Sequence, residues 1–286
     1  MDFLKRAFKF ISPRFQTVFL DYKVDPIPRF GHGKATHGGL KNILDKERSQ
    51  YDSLMQIFLE NGPALQQWKK QAEENNPNLP AWNNDFLPGL DIFALYGMIA
   101  HFKPKRYIEV GSGNSTKVVR KAIQDHALQT HITSIDPFPR AQIDHLADKV
   151  MRIPFEKMEN YTAIIDELEE NDILFIDNSH RVFTNSDATV FFLEILPFLK
   201  KGVIVHIHDI YIPDDYPDFM AQRFYNEQYM LAAFILSNPI RYKTIFPCWY
   251  LSQDSEFSDK MLPFFQTAAL KDVERHGGSY WLQIQA

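Results

Sequence analysis

The residues with the clearest chemical potential in this chain follow two short apolar runs. Asp177 comes directly after Ile-Leu-Phe-Ile, and His208 and Asp209 come directly after Ile-Val-His-Ile. Because neighbouring strands lie about 4.8 Å apart, side chains at the ends of two such strands can meet at one point. Two carboxylates and an imidazole can hold a divalent ion, either Mg²⁺ or a heavier metal. In the alternative interpretation, both acids accept hydrogen bonds from loop amides and His208 orients them.

His180 lies three residues after Asp177, in the stretch Asp-Asn-Ser-His. An imidazole titrates near neutrality, so it can take a proton from a reacting group at cellular pH. Asp177 and His180 are therefore the candidate catalytic residues. The alternative is a loop histidine that only hydrogen-bonds to the backbone. His206 shares a strand face with His208 and is interpreted as a core residue.

A second candidate site surrounds a glycine-containing turn. Gly111 and Gly113 follow an apolar, β-branched run and precede a stretch with helical spacing of apolar residues. Glycines at such a turn let a ligand lie against peptide N–H groups at a helix N-terminus. Thr116 occupies the place of the third glycine in a dinucleotide-binding motif, so the pattern argues against a dinucleotide.

Two acids accompany this turn. Asp136 ends the next apolar run, where an acid binds the ribose hydroxyls in nucleotide-binding α/β sheets. Glu109 stands two residues before Gly111, where it would crowd a pyrophosphate but suits a cation. The pair therefore favours a ribose-containing ligand other than a dinucleotide.

The elements that would position these residues alternate between strands and helices from about residue 86 onward. That alternation predicts an α/β fold with a parallel sheet and helices on both faces. Strands are predicted at 106–110, 131–136, 150–153, 173–177, 203–207, 242–246 and 280–284. Continuous helices are predicted at, among others, 187–199, 221–236 and 259–274.

Residues 1–82 precede this pattern and are predicted to form a mostly helical extension, with residues 83–286 as the main domain. The extension begins with a basic amphipathic helix at 1–11, interpreted as an arm packed on its own domain or on a neighbouring subunit. Binding to a membrane surface is the alternative for this helix. A loop at 22–39 and two helical pieces within 40–71, separated at Gly62, complete the extension.

Composition and charge exclude several classes of protein. The formal net charge of −5 argues against a nucleic-acid-binding protein with a general basic face. No apolar run approaches the roughly 18 residues of a membrane span. Lysines and an arginine interrupt the first helix, so a signal peptide is not expected and the predicted location is cytoplasmic. Cys248 is the only cysteine, which rules out an intrachain disulfide and is interpreted as a buried, inert thiol.

The segment 106–116 resembles motif I of class I S-adenosylmethionine-dependent methyltransferases, and Asp136 resembles their ribose-binding acid. The resemblance continues through 172–180 and 202–209 and covers about residues 86–286. It implies a Rossmann-like, doubly wound sheet of strand order 3-2-1-4-5-7-6, with S-adenosylmethionine as cofactor. It also implies that the cofactor is bound by Glu109, Gly111, Ser112, Gly113, Ser115, Asp136 and Asp177.

The Asp-x-x-His spacing and the acid after the second run look like metal-dependent sugar O-methyltransferases. That resemblance implies His180 as the general base and Asp177, His208 and Asp209 as ligands of Mg²⁺ or another divalent metal. His208 departs from the family pattern, which usually has an acid or another dipeptide there. We therefore predict methyl transfer to a hydroxyl of a small molecule or glycan, with metal assistance. The acceptor's identity and any homo-oligomer are left open, and a non-catalytic cofactor-binding module is the alternative.

Overall fold

The computed structural model describes residues 2–13, 15–139 and 142–285, without the side chains of residues 2–6. The part of the chain so described contains a seven-stranded sheet. Its strands are β1 (Arg106–Val110), β2 (His131–Ile135), β3 (Lys149–Met151), β4 (Ile173–Ile176), β5 (Ile204–Ile207), β6 (Tyr242–Pro247) and β7 (Tyr280–Ile284). The sheet order is β3-β2-β1-β4-β5-β7-β6, and β7 runs antiparallel to both β5 and β6. This confirms the predicted class I methyltransferase order.

Helices precede the sheet and connect its strands. They are α1 (Asp2–Ile11), α2 (Gly38–Asp45), α3 (Arg48–Leu59), α4 (Gly62–Leu65), α5 (Gly89–Phe102), α6 (Asn114–Asp125), α7 (Thr162–Glu167), α8 (Asp187–Val190), α9 (Asp218–Ala221), α10 (Glu227–Ser237), α11 (Cys248–Gln253) and α12 (Ser255–Phe265). A π-helix follows α8 at Phe191–Ile195, and 3₁₀ turns lie at Asp144–Leu146, Phe155–Lys157 and Leu196–Phe198.

Several predicted helices are shorter or more broken than their apolar patterns indicated. The continuous helix predicted at 221–236 is wrong, because Phe224 adopts a positive φ of 57° and the chain leaves helical geometry before α10. The helix predicted at 187–199 becomes π-helical and then 3₁₀, near Pro197, which has no N–H to donate. The helix predicted at 259–274 is displaced and runs from Ser255 to Phe265, so its second half is wrong. Asp254 caps its start by accepting hydrogen bonds from the N–H groups of Glu256 and Phe257.

The helix α5 is buried on nearly all sides, so its apolar residues cannot form a single stripe. It packs against α3 and α6. Gly97 allows this close approach, since a Cβ there would lie 2.3 Å from the Phe58 ring. One carboxylate, Asp91, is fully buried in the same helix.

The extension shares its core with the rest of the chain. Tyr51, Phe58 and Trp82 belong to the same hydrophobic cluster as the central strands. Arg48 also donates a hydrogen bond of 2.5 Å to Asp254. A division near residue 82 stays a prediction, and residues on its two sides pack together. Cys248 is a free, buried thiol, as predicted.

The N-terminal helix is the exception to this packing. Phe8, Phe10 and Ile11 are 63%, 65% and 79% exposed, so these side chains do not pack on the chain's own domain as one form of the prediction had it. In the described part of the chain, no helix has the length and apolar character needed to cross a membrane.

Candidate active site

The carboxyl ends of β1, β2 and β4 meet at Gly111. Its N–H donates to the Ile135 carbonyl at 3.0 Å, and the Asp177 N–H donates to the Val110 carbonyl at 2.8 Å. Gly111 has a φ of +83°, and a Cβ on it would lie 1.8 Å from the Asp177 carbonyl oxygen. Only glycine fits both this conformation and this approach. At Gly113, by contrast, a Cβ would meet open space.

Asp136 is fixed by the backbone of its surroundings. Its two carboxylate oxygens accept hydrogen bonds from the Ser112 N–H at 2.8 Å and the Phe138 N–H at 2.7 Å. A cavity of about 370 Å³ lies beside it, lined in part by Gly111, Pro137, Phe155 and Asp177. Each carboxylate oxygen can accept a further bond, so Asp136 can still bind hydroxyls of a ligand in this cavity.

A second cavity, of about 320 Å³, is also lined by residues of the glycine turn. Ser112, Gly113, Ser115 and Lys117 contribute to it, and so does Asp177. Asp177 therefore lines both cavities, and an elongated ligand crossing the glycine turn could extend into each. The predicted cofactor residues, Glu109 excepted, line these two spaces.

Glu109 lies beneath the turn and is fully buried. Its carboxylate accepts hydrogen bonds from the hydroxyls of Thr116, Ser115 and Tyr107. Burial raises the pKa of Glu109 to about 7, although these hydroxyls act in the opposite direction. Glu109 therefore ties β1 to the first turn of α6, and its predicted contact with the cofactor stays a prediction.

The acids and imidazoles predicted at the ends of β4 and β5 lie together. His180 Nε2 is 3.5 Å from Asp177 Oδ1 and 3.3 Å from Asp209 Oδ2. His208 Nδ1 is 3.4 Å from Asp209 Oδ1 and 3.9 Å from Asp177 Oδ1. Both imidazoles are buried, whereas both carboxylates are partly exposed. The site thus presents two carboxylates toward solvent with an imidazole behind each.

Two further carboxylates, which the sequence interpretation missed, lie on the far sides of the imidazoles. Glu227 Oε1 is 2.5 Å from His180 Nδ1. Asp91 Oδ2 is 3.3 Å from His208 Nε2, and Asp91 also accepts hydrogen bonds from the N–H groups of Gly278 and Ser279. The sequence carried a signal for Asp91, because this residue is an acid within the otherwise apolar stretch of α5. Glu227 had no comparable signal.

The carboxylates determine the charge of both imidazoles. Burial alone would lower the pKa of His180, but Glu227, Asp209 and Asp177 outweigh it and raise the pKa to about 9. Burial would also lower the pKa of His208, yet Asp209, Asp91 and Asp177 raise it to about 10. Both side chains are therefore mostly imidazolium at neutral pH.

Two residues of this cluster hold unusual backbone conformations. His180 has a φ of 61° and Asp209 a φ of 56°. Positive φ is uncommon outside glycine, and it persists where surrounding contacts enforce it, often at functional sites. His206, by contrast, stacks on Phe175 at a ring distance of 3.8 Å and is fully buried, which confirms its interpretation as a core residue.

Residues 108–210 match a family model described as a methyltransferase domain. That match spans the glycine turn, Asp136 and the ends of β4 and β5, and the sheet has the order of the S-adenosylmethionine-dependent class. The chain therefore contains a methyltransferase domain. No curated protein sequence matches it.

Two solved structures are similar to this chain. One is the S-adenosylhomocysteine-bound Podospora anserina methyltransferase PaMTH1, with 16% identity, coverage of 68% of this chain and 78% of that one, and a TM-score of 0.40. The other is the plantazolicin methyltransferase BpumL in complex with S-adenosylhomocysteine, with 13% identity, coverage of 86% and 99%, and a TM-score of 0.38. Because both structures are so distant, they provide no evidence beyond what the strand order of the sheet already gives.

The predicted metal ligands, Asp177, His208 and Asp209, are not arranged as a metal site in the described part of the chain. In the part of the chain that the structure describes, no group of three or more His, Cys, Asp or Glu side chains is arranged to hold an ion. Asp177 and Asp209 lie beside two imidazoles, those of His180 and His208. Because the pKa values of both imidazoles are raised, their protonated forms already place positive charge next to the two carboxylates. An ion bound here would have to displace protons from these imidazoles, because metal ligation requires neutral histidine.

Proposed function

We propose that the methyltransferase transfers the methyl group of S-adenosylmethionine to a hydroxyl oxygen of a small molecule or glycan. The observation that carries this proposal is the position of His180 Nε2 at the two carboxylates that end β4 and β5, beside the cavities at the glycine turn. In the reaction a new O–C bond forms, the C–S bond of the sulfonium breaks, and the hydroxyl proton must leave. The protein's tasks are alignment and proton acceptance.

The two cavities suit the two ends of the cofactor. The adenosine would lie beside Asp136 and Phe155, with its ribose hydroxyls donating to the Asp136 carboxylate. The methionine end would cross Gly111 into the cavity with Lys117. Lys117 makes no ion pair with any described residue, and burial lowers its pKa, so a carboxylate of the ligand would supply its counter-charge. This placement brings the sulfonium toward Asp177.

His180 can accept the proton only in its neutral form. Its pKa of about 9 makes that form a minor species at neutral pH, but it also makes the neutral imidazole a stronger base. Asp177 and Asp209, on either side of Nε2, would stabilise the imidazolium that forms. We therefore assign proton acceptance to His180 and charge stabilisation to the two aspartates.

The direct test of the function is product formation across a panel of phenols, sugars and macrocyclic alcohols. We expect S-adenosylhomocysteine to form stoichiometrically with an O-methylated product, identified by mass spectrometry and by resistance of the new ether to mild base. Equimolar cofactor binding with no S-adenosylhomocysteine from any acceptor would favour a non-catalytic binding module. Methylation at nitrogen or carbon would contradict the oxygen assignment.

Replacing Asp136 tests the cofactor site separately. Asp136→Ala should weaken S-adenosylmethionine binding by about 1–3 kcal/mol, because it leaves the ribose hydroxyls without their acceptor. Isothermal titration calorimetry measures this change, with circular dichroism to check folding. Asp259→Ala, at an exposed acid of α12, is the matched control and should bind as the parent does. An unchanged affinity in a folded Asp136→Ala protein would place the cofactor elsewhere.

Metal assistance, which the sequence resemblance implied, is tested by chelation. Because two imidazoliums already oppose the Asp177 and Asp209 charges, we expect transfer to persist within about twofold after exhaustive EDTA treatment, since no metal-bound group would be lost. Elemental analysis should find no stoichiometric divalent metal. If EDTA instead abolishes transfer, cofactor binding survives and Mg²⁺ restores the rate, the metal-assisted route is correct.

A further inference from the structure

The segment that interrupts the predicted helix at 221–236 lies against His180. Between α9 and α10 the chain passes through Phe224 at positive φ, and the next three residues, 225–227, each contact a different part of His180. We call residues 225–227 the clamp segment. A continuous helix would pair the backbone N–H and C=O groups of this segment with each other. The interruption gives up some of these hydrogen bonds, so other contacts must compensate for them.

The clamp segment holds the backbone, the ring face and one ring nitrogen of His180. The Asn226 N–H donates to the His180 carbonyl at 3.0 Å, and the Asn226 side-chain oxygen accepts from the Val182 N–H at 2.7 Å. The Tyr225 ring stacks on the imidazole with 4.6 Å between centroids. Glu227 faces His180 Nδ1 at 2.5 Å. These contacts together can enforce the positive φ of His180.

Glu227 is the member of this segment whose burial is least favourable to the fold. Its side chain is 1% exposed, and burial raises its pKa. One oxygen faces His180, whereas the other, Oε2, is buried with no hydrogen-bond partner among the described residues. A buried carboxylate with a single partner destabilises a fold. Such a group is retained where it serves a site.

We propose that Glu227 is a positioning residue for His180. By accepting a hydrogen bond from Nδ1–H, Glu227 fixes the neutral imidazole in the tautomer whose lone pair lies on Nε2. Nε2 is the atom that faces Asp177 and Asp209, where the acceptor hydroxyl must lose its proton. The substrate proton moves to Nε2, while the Nδ1 proton stays between His180 and Glu227. This inference rests on the proposed function of His180.

The test is Glu227→Gln, alone and combined with His180→Ala. The amide can present either a donor or an acceptor to Nδ1, so it no longer selects one tautomer. We expect kcat to fall about 10- to 100-fold, the loss typical of removing an outer partner of a functional histidine. The KM for the acceptor and the Kd for S-adenosylmethionine should stay those of the parent. Glu194→Gln, at an exposed glutamate, is the matched control and should not change kcat.

The double variant separates positioning from a general structural role. If Glu227 acts through His180, Glu227→Gln should cause no further loss of kcat in a His180→Ala background, because the two effects are not additive. An equal loss in both backgrounds, or a single variant within twofold of the parent, would overturn the inference. A His180→Ala protein as active as the parent would instead refute the proposed function itself.

Folding of the variant is checked independently. Should Glu227→Gln fail to fold, ¹⁵N NMR of the parent at pH 10.5, where His180 is mostly neutral, still reports which ring nitrogen carries the proton. Protonated Nδ1 supports the inference, and protonated Nε2 contradicts it. Glu227→Asp keeps the charge but shortens the reach, and we expect its kcat to lie between those of the parent and Glu227→Gln.

Discussion

His180→Ala is expected to lower turnover by about 10²–10⁴-fold, the usual contribution of a positioned general base. Fold and S-adenosylmethionine affinity should be retained, because the cavities of the cofactor site are lined by other residues. His131→Ala is a matched control: His131 is exposed at the amino end of β2, at the opposite edge of the sheet. Single-turnover kinetics with saturating cofactor measures the chemical step directly. A variant that retains more than about a tenth of the parent rate would show that another group accepts the proton.

The pH dependence of the parent adds a second criterion for His180. Because its pKa is raised to about 9 and the base must be neutral, kcat/KM should rise with pH through about 9 rather than through 6.5. This limb should be absent in His180→Ala. The same shift affects folding: the protonated form stabilises the folded protein fully below about pH 6.5, and this stabilisation is lost as the pH rises through about 9.

Gly111→Ala is expected to destabilise the protein by about 3 kcal/mol or more, since overpacking and a strained backbone both contribute. The added Cβ would lie 1.8 Å from the Asp177 carbonyl oxygen, which belongs to the backbone and cannot move aside as a flexible side chain could. The required φ of +83° adds strain for any residue with a Cβ. Urea denaturation followed by circular dichroism measures the free energy of unfolding.

A glycine in open surroundings provides the control for Gly111. Gly38 begins α2, and a Cβ on it would meet nothing within 4 Å. Gly38→Ala should therefore leave the free energy of unfolding within about 0.5 kcal/mol of the parent or raise it slightly. Similar stabilities for the two variants would mean that the turn relaxes away from β4 and that its close approach is dispensable.

Local patterns were sufficient to predict most of the sheet. The apolar runs before Gly111, Asp136 and Asp177 set the positions of β1, β2 and β4, because buried parallel strands leave a direct hydrophobic signal. The strand order came from resemblance to a family, since spacing alone does not say which strands are neighbours. The ends of β4 and β5 were predicted to bring Asp177, His208 and Asp209 together, and they do.

The carboxylates that contact the two imidazoles from behind could not be predicted from local sequence patterns. Glu227 contacts His180 across 47 positions of the chain, and nothing in the local pattern distinguishes it from an exposed acid on a helix. The helix break at Phe224 was hidden for a similar reason: the apolar spacing from 221 to 236 fits a continuous helix, while contacts with His180 favour the interruption. Tertiary contacts that override local propensity leave little local trace.

The antiparallel strand β7 lies inside the sheet, between β5 and β6, although it is the latest of the seven in chain order. The turn just before it supplies the Gly278 and Ser279 N–H groups that hold Asp91 behind His208. During translation, the edge of β5 that pairs with β7 therefore stays unpaired until residues 277–284 have been synthesised. Unpaired edges invite association with other strands, so the nascent protein is exposed to aggregation, and its site is incomplete, until this segment has been added.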